Sequence, residues 1–212
     1  GDRLPENPTA CALGLADRLD TLVGIFGIGQ PPTGSRDPFA LRRASLAVLR
    51  IMVEQELELD LRDCLELAAD QYPAGVIATG TTAQVLDYMV ERFRAWYEEA
   101  SIPAEVFKAV SARNLSQPLD IQRRVHAVHA FTALPEAPAL AAANKRVANI
   151  LDKLEASHQF GEVSANLLVE PQERDLSDRM GALAAVATGH LEQGKYTDAL
   201  ACLAGLKEPI DA

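Results

Sequence analysis

Aromatic residues are scarce in this 212-residue chain, at 5%, and runs of β-branched residues are few. Sheet cores draw on both, so their scarcity disfavours a β-rich fold, and abundant Ala and Leu favour helices. Long apolar runs are missing too: none approaches the roughly 20 residues that a membrane-spanning helix needs. The start is polar and contains proline, without the basic-then-apolar order of a signal peptide. Cysteine is limited to Cys11, Cys64 and Cys202, odd in number and widely separated. They form neither a disulfide framework nor a metal-ligand spacing, and a reduced, cytoplasmic chain is the expectation. A basic excess is also lacking. Twenty Lys and Arg face thirty Asp and Glu, a net charge of −10, and neither half of the chain is basic. A nonspecific nucleic-acid binder would be strongly basic, so any such partner must be held by local patches.

What is present is helical periodicity. Residues 8–23 read as a helix with Pro8 near its start and Leu13, Leu15, Ala16, Leu19, Leu22 and Val23 on the apolar side. Gly24, Gly27 and Gly29 are expected to interrupt it at a closely packed bend, with Ile25, Phe26 and Ile28 buried. After the 31–35 loop, Asp37 suits an N-cap and Pro38 a first helical position, in a helix running to about Glu56. That helix would bury Leu41, Ala44, Val48, Ile51 and Met52. A short helix near 60–71 follows. Thr81 and Thr82 then precede the clearest amphipathic stripe: Val85, Leu86, Met89, Val90, Phe93, Trp96 and Tyr97. Ser101-Ile102-Pro103 breaks it before a short helix near 104–112. The 114–118 segment is the best candidate boundary between domains 1–115 and 116–212. Helices near 119–133, 136–156, 172–192 and 196–206 complete an all-α chain, with 158–171 as a long loop.

Several groups carry candidate chemistry. Asp17 and Asp20, three apart, share a helix face; Ala16-Asp17-Arg18-Leu19 resembles the place of a late helical Asp in histidine–aspartate metal phosphohydrolases, which would make Asp17 a weak metal-ligand candidate, against capping or an ion pair with Arg18 or an arginine of the next helix. Gly24-x-x-Gly27-x-Gly29 lacks the strand–turn–helix setting and the Lys-Ser/Thr of a phosphate loop. Arg43 and Arg50 are seven apart, hence within about 20° on a helix, with Arg42 about 100° from Arg43. They could offer guanidinium forks to phosphate or form a solvated face. Arg92 and Arg94 flank Phe93 beside Trp96-Tyr97, but the aromatics continue a buried stripe, which favours packing over base stacking. His126 and His129 are three apart on one helix without a further ligand in the same turn, and no metal site is expected. The 141–153 helix is the best candidate. Leu140, Val147, Ile150, Leu151 and Leu154 would be buried, leaving Lys145, Asn149 and Lys153 at i+4 spacing beside Arg146. The alternative is an ordinary solvated face.

The run ADRLDTLVGIFGIGQPPTGSRDPFALRRASLAVLR (16–50) resembles the beta subunit of the bacterial two-subunit glycyl-tRNA synthetase. The resemblance continues through FRAWY (93–97) and AAANKRVANI (141–150) to YTDAL (196–200), in the family's order.

The resemblance implies a C-terminal piece of a larger subunit, since the chain begins Gly1-Asp2 without an initiator Met. Residues 1–115 would end a histidine–aspartate phosphohydrolase-like body with a helical extension. Residues 116–212 would be an incomplete helical anticodon-binding domain. The expected function is tRNA binding within glycine–tRNA ligase, helping to select glycine tRNA for ATP-dependent aminoacylation. Arg42, Arg43, Arg50, Lys145, Arg146, Asn149 and Lys153 are the candidate tRNA contacts, and no residue is catalytic. ATP and magnesium would be used by the complete enzyme with none held here, so the piece alone should be inactive. The implied partners are glycine tRNA and an alpha subunit, in a heterotetramer of two alpha and two beta chains, with no membrane. Two rivals are a helical scaffold docking the alpha subunit without tRNA contacts, and a remnant metal phosphohydrolase.

Overall fold

A computed structural model describes residues 4–153, 163–207 and 210. Among the described residues the chain is all-helical, without a sheet: α1 (Pro8–Gly27), α2 (Leu41–Glu54), α3 (Leu61–Ala69), α4 (Thr81–Glu99), α5 (Ala104–Ser111), α6 (Pro118–Thr132), α7 (Ala137–Asp152), α8 (Pro171–Glu192) and α9 (Tyr196–Ala204). A 3-10 turn covers Ala165–Leu167. Residues 154–162, with Leu154, His158 and the start of the expected loop, lie outside the described residues. The chain divides into two compact units, residues 1–125 and 126–212.

In the first unit α1 packs on α2, α3 and α4, and α4 also meets α2, α3 and α5. Asn7 starts α1, its Oδ1 accepting from the Ala10 N–H at 2.8 Å ahead of Pro8. Leu15, Leu19, Leu22, Val23 and Phe26 then form the buried side, whereas Leu13 is 71% exposed and Ala16 is also exposed. The helix does not stop at Gly24 as expected but runs through to Gly27. The reason is local: a Cβ on Gly24 would collide with the Tyr72 hydroxyl, and one on Gly27 would lie 2.5 Å from Ile77 Cδ1. These glycines permit close approach of Tyr72 and Ile77 to a continuous helix. Phe26 is buried, Ile25 half-buried and Ile28 exposed.

α2 begins at Leu41, not Pro38, after Ala40 takes a left-handed conformation with φ 54°. Asp37 nevertheless caps the helix, accepting from the Leu41 and Arg42 N–H groups at 2.9 and 3.0 Å. The cap reaches in from three residues outside. Leu41, Val48, Leu49, Ile51, Met52 and Val53 are buried and Ala44 is half-buried; the helix ends at Glu54. Asp60 caps α3 through the Arg62 N–H (2.8 Å) and accepts from the Ser116 hydroxyl (2.7 Å), tying the 114–118 segment to the first unit. The Leu61 N–H donates to the Ser116 carbonyl at 2.8 Å as well.

α4 carries the core. Gly80, not a threonine, is its N-cap, and the Thr81 hydroxyl donates to the Ala78 carbonyl at 2.8 Å. Val85, Leu86, Met89, Phe93 and Tyr97 are buried, while Val90 and Trp96 are half-buried. Phe93 lies 4.8 Å from Tyr97, 5.4 Å from Trp96 and 6.3 Å from Phe107, centroid to centroid. These distances suit aromatic packing, and they use up the faces a nucleobase would need. Arg94 pairs with Glu91 and Glu98 on its own helix. Burial pushes the Tyr97 hydroxyl well above its ordinary range, and it hydrogen-bonds Gln122 of α6.

In the second unit, α8 and α9 form a hairpin around buried Ala187 and Ala199. Gly194, at φ 68°, makes the turn, and the Lys195 N–H returns to the His190 carbonyl at 2.9 Å. Glu173 accepts from the Val169 and Glu170 N–H groups at 2.9 and 3.1 Å, closing the start of α8 ahead of Pro171.

Phe93→Ala is expected to lower stability by about 3–5 kcal/mol, the cost of a large-to-small change in a closed core; denaturant unfolding measures it. A subtler test concerns Tyr72, whose hydroxyl donates to the Asp20 carbonyl at 3.0 Å. Burial, reinforced by Asp20, pushes this hydroxyl from 10 up to about 12. The unfolded chain therefore loses the proton first, and this group's contribution to stability falls as pH rises from about 10 towards 12. Gly24→Ala, by displacing the ring, should return the Tyr72 titration towards 10, followed by tyrosinate absorbance.

Candidate nucleic-acid interface

The cleft formed by α1, α2 and the residues that precede them gathers three of the arginines singled out from sequence. It is open, about 660 Å³, and lined by Asp17, Arg18 and Thr21 of α1 and by Arg42, Arg43, Leu46 and Arg50 of α2. Leu4, Pro5, Phe39 and Ala40 supply apolar edges. Arg42, Arg43 and Arg50 thus share one concavity. The fourth arginine, Arg18, was visible in the sequence only as a neighbour of Asp17. Nothing local marks it, because its position depends on α1 lying against α2.

The four guanidinium groups are not equally available. Arg42 donates to the Gly34 carbonyl and lies 4.0 Å from the Asp37 carboxylate, so it fastens the loop before α2. Arg50 donates to Glu54 Oε1 at 2.6 Å one turn along its own helix, and that carboxylate keeps it more firmly protonated. Arg18 gives one Nη to the Gly14 carbonyl at 2.8 Å. Arg43 is exposed and has no hydrogen-bond or ion-pair partner among the described residues. Exposed pairs such as Arg50–Glu54 contribute about 0–1 kcal/mol, so an incoming phosphate can compete for them.

Asp17 is exposed within this cleft, and the Thr21 hydroxyl donates to its carbonyl at 2.8 Å. Its side chain pairs neither with Arg18 nor with an arginine of α2. Asp20 contributes its backbone carbonyl to Tyr72. No three His, Cys, Asp or Glu side chains are grouped as metal ligands among the described residues. Asp17 keeps company with cations, which is the wrong electrostatic setting for another cation. His126 and His129 are both exposed on α6.

Beside this cleft, where α4 faces the loop, the Arg92 guanidinium sits 5.7 Å from the Tyr88 ring centroid, and Tyr88 packs at 5.2 Å on Phe26. Burial raises the Tyr88 hydroxyl, with Asp37 adding to the shift and Arg92 opposing it. The Arg92–Tyr88 stack is a cation–π contact inside the helix assembly, and it leaves Arg92 unavailable to a base.

On α7, Lys145, Arg146, Asn149 and Lys153 are all exposed, with Lys153 at the C-cap. The expected apolar face, however, is not covered among the described residues. Val147, Ile150 and Leu151 are 53%, 55% and 44% exposed, and Leu140 is half-buried. The period of the apolar residues is helical as expected; the partner surface is what was wrongly assumed. From Asn144 onward α7 shows every face to solvent, so exposure alone does not single out the cationic one.

The cap at Asp37 sets both the start of α2 and the direction of Arg42. Asp37→Ala should cost about 0.5–2 kcal/mol, as loss of an N-cap does. Asp37→Asn, which can still accept one N–H, should cost less; thermal unfolding of the two variants compares them.

Comparison with known proteins gives a consistent picture. The family model described as glycyl-tRNA synthetase beta subunit matches residues 1–112. Across all of its length the chain is 51% identical to the glycine–tRNA ligase beta subunit of Marinobacter nauticus, covering 30% of that protein. It is 48% identical to that of Hahella chejuensis (30% covered) and 46% identical to that of Coxiella burnetii (31% covered), again with the whole chain aligned. The chain therefore spans about three tenths of the length of the curated relatives it matches.

Proposed function

The chain belongs to the glycyl-tRNA synthetase beta-subunit family, and from that premise we propose that it serves a glycine–tRNA ligase by holding glycine tRNA. Activation of glycine with ATP and magnesium would take place on an alpha subunit, in a cytoplasmic assembly of two alpha and two beta chains. Residues 1–115 would belong to the phosphohydrolase-like body, and residues 116–212 to a helical anticodon-binding domain. The observation that carries the reading is α7: Lys145, Arg146, Asn149 and Lys153 project to solvent from one helix of a chain whose net charge is −10. Lysines suit phosphate, whereas the amide of Asn149 and the fork of Arg146 suit unstacked bases in a loop.

A second reading has its own support on the same helix. Exposed Val147, Ile150 and Leu151 could dock a protein surface, as a scaffold for the alpha subunit would require. The two readings differ in what each face does. In the complete enzyme, replacing Lys145, Arg146, Asn149 and Lys153 with Ala should weaken glycine tRNA while leaving glycine-dependent pyrophosphate exchange intact. Each lysine removed should lower the salt slope of binding by about one. Asn149→Ala should cost about 1–3 kcal/mol for glycine tRNA and less for an anticodon-swapped one. Filter binding over a salt series measures both, after circular dichroism shows the variants folded. Normal tRNA affinity in the folded quadruple variant would overturn the reading and leave the scaffold.

A further inference from the structure

The α1–α2 cleft lies on the first unit, and its chemistry is more specific than a basic patch. Of its four arginines, two are committed to the chain's own groups: Arg42 to Gly34 and Asp37, and Arg50 to Glu54. Arg18 has donors left after its single bond to Gly14, and Arg43 has all of its donors free among the described residues. Two forks that line one cleft from two packed helices suit a phosphate group, which planar guanidinium binds through two parallel N–H donors. Four arginines against one carboxylate in a cleft of a chain that is acidic overall also raise the local concentration of an anion there.

Asp17 narrows the class of anion. Its exposed carboxylate, without an ion pair among the described residues, opens into the same cleft. A terminal phosphate, with nearly two charges, would be repelled by it, while a phosphodiester carries only one. A carboxylate accepts hydrogen bonds and donates none, so it selects a ligand with a hydroxyl near the phosphate. The ribose 2′-hydroxyl is such a donor, and it distinguishes RNA from DNA. Phe39, 43% exposed at the cleft edge, adds an apolar surface against which a base or sugar can lie. The cleft, at about 660 Å³, falls within the size range of ligand-holding concavities.

We propose that the α1–α2 cleft binds a stretch of RNA backbone, a phosphodiester on Arg18 and Arg43 and the neighbouring ribose 2′-hydroxyl on Asp17. This rests on the RNA-binding reading above, but it concerns a different unit and different residues. The cleft reads sugar chemistry rather than sequence, so it positions RNA of any sequence and discriminates against DNA.

The test uses the complete beta subunit with its alpha partner, glycine tRNA, and a DNA copy of that tRNA's sequence. Arg43→Gln should weaken tRNA roughly three- to tenfold at moderate salt and lower the salt slope by about one. Arg43→Lys should restore the slope but not the full affinity, because the fork is lost. Asp17→Ala should weaken tRNA while leaving the DNA copy unchanged or tighter, so that the preference for RNA falls. Both sites are exposed, and matching melting temperatures confirm that the variants are folded. An Asp17→Ala variant that tightened RNA and DNA alike would overturn the ribose contact. An unchanged salt slope in Arg43→Gln would overturn the phosphate contact. Displacement of tRNA by millimolar AMP, from the unsubstituted protein and not from Arg43→Gln, would assign the cleft to a free nucleotide instead. If these cleft variants behave as the unsubstituted protein while the α7 quadruple variant loses tRNA, only the cleft inference fails. If both sets leave tRNA affinity unchanged, the RNA-binding reading itself fails.

Discussion

Close contact of α1 with α2 is the constraint from which the rest of the first unit follows. Gly14 lies against α2, where a Cβ would stand in ordinary contact with Ile51 Cδ1 at 3.5 Å and more tightly against the Arg18 guanidinium at 3.3 Å. Behind that contact, Leu15, Leu19 and Leu22 meet a helix whose Val48, Ile51 and Met52 are closed to water. Burying such side chains contributes about 1.5–3 kcal/mol each, far more than any exposed ion pair in the cleft. The arginines are therefore placed by the apolar side of the helices that carry them, not by their own interactions. Arg18 and Arg43 face a common space because the opposite faces of α1 and α2 are packed. A glycine at position 24 extends the packing of α1 to the turn after α3, since the ring of Tyr72 fills the room that a side chain would occupy.

How much of this was legible in the sequence depends on the range of the interactions involved. Helix existence was readable, because apolar spacing of three and four is a local property; α4, with Val85, Met89, Phe93 and Tyr97 inward, follows the written stripe. Helix ends were less readable. Asp37-Pro38 looks like a cap and first turn, yet the carboxylate reaches past a left-handed Ala40 to the N–H groups of Leu41 and Arg42. The same donors are satisfied by the same residue from a different distance. Gly24 and Gly27 misled for a deeper reason. Glycine weakens a helix locally by about 1 kcal/mol, but here its neighbours in space, Tyr72 and Ile77, lie some fifty residues away in the chain. The cleft was half legible: Arg42, Arg43 and Arg50 stood out on one helix, whereas Arg18 needed the tertiary contact to join them.

Charge shows how a local arrangement can oppose the bulk. At −10, the chain repels a polyanion at long range. That repulsion is screened beyond about 8–10 Å at ordinary salt, so short contacts decide what binds. Acidic residues also occupy the arginines unevenly. Glu91 and Glu98 take Arg94, Asp37 takes Arg42, and Glu54 takes Arg50. Counting cations along the sequence therefore overstates what is available to a ligand. The informative quantity is which guanidinium groups remain after the chain's own carboxylates and carbonyls have been served, and that is set by tertiary structure.

α7 presents the opposite problem, an excess of available groups. Its cations and its apolar residues are both exposed, although only one of these exposures is cheap. Lys145 and Lys153 lose nothing by facing water. Val147, Ile150 and Leu151, about half exposed, each forgo part of the roughly 1.5–3 kcal/mol that full burial of such a side chain provides. Helical periodicity over 140–151 leaves an apolar stripe largely uncovered among the described residues, so that stripe argues for a covering surface and the cationic flank for an anion. The two faces lie on opposite sides of one short helix, where a single rigid element can be seated by protein on one side while still presenting Lys145, Asn149 and Lys153 on the other. Recognition of a flexible RNA loop gains from such seating, because a helix held from behind loses less conformational freedom on binding.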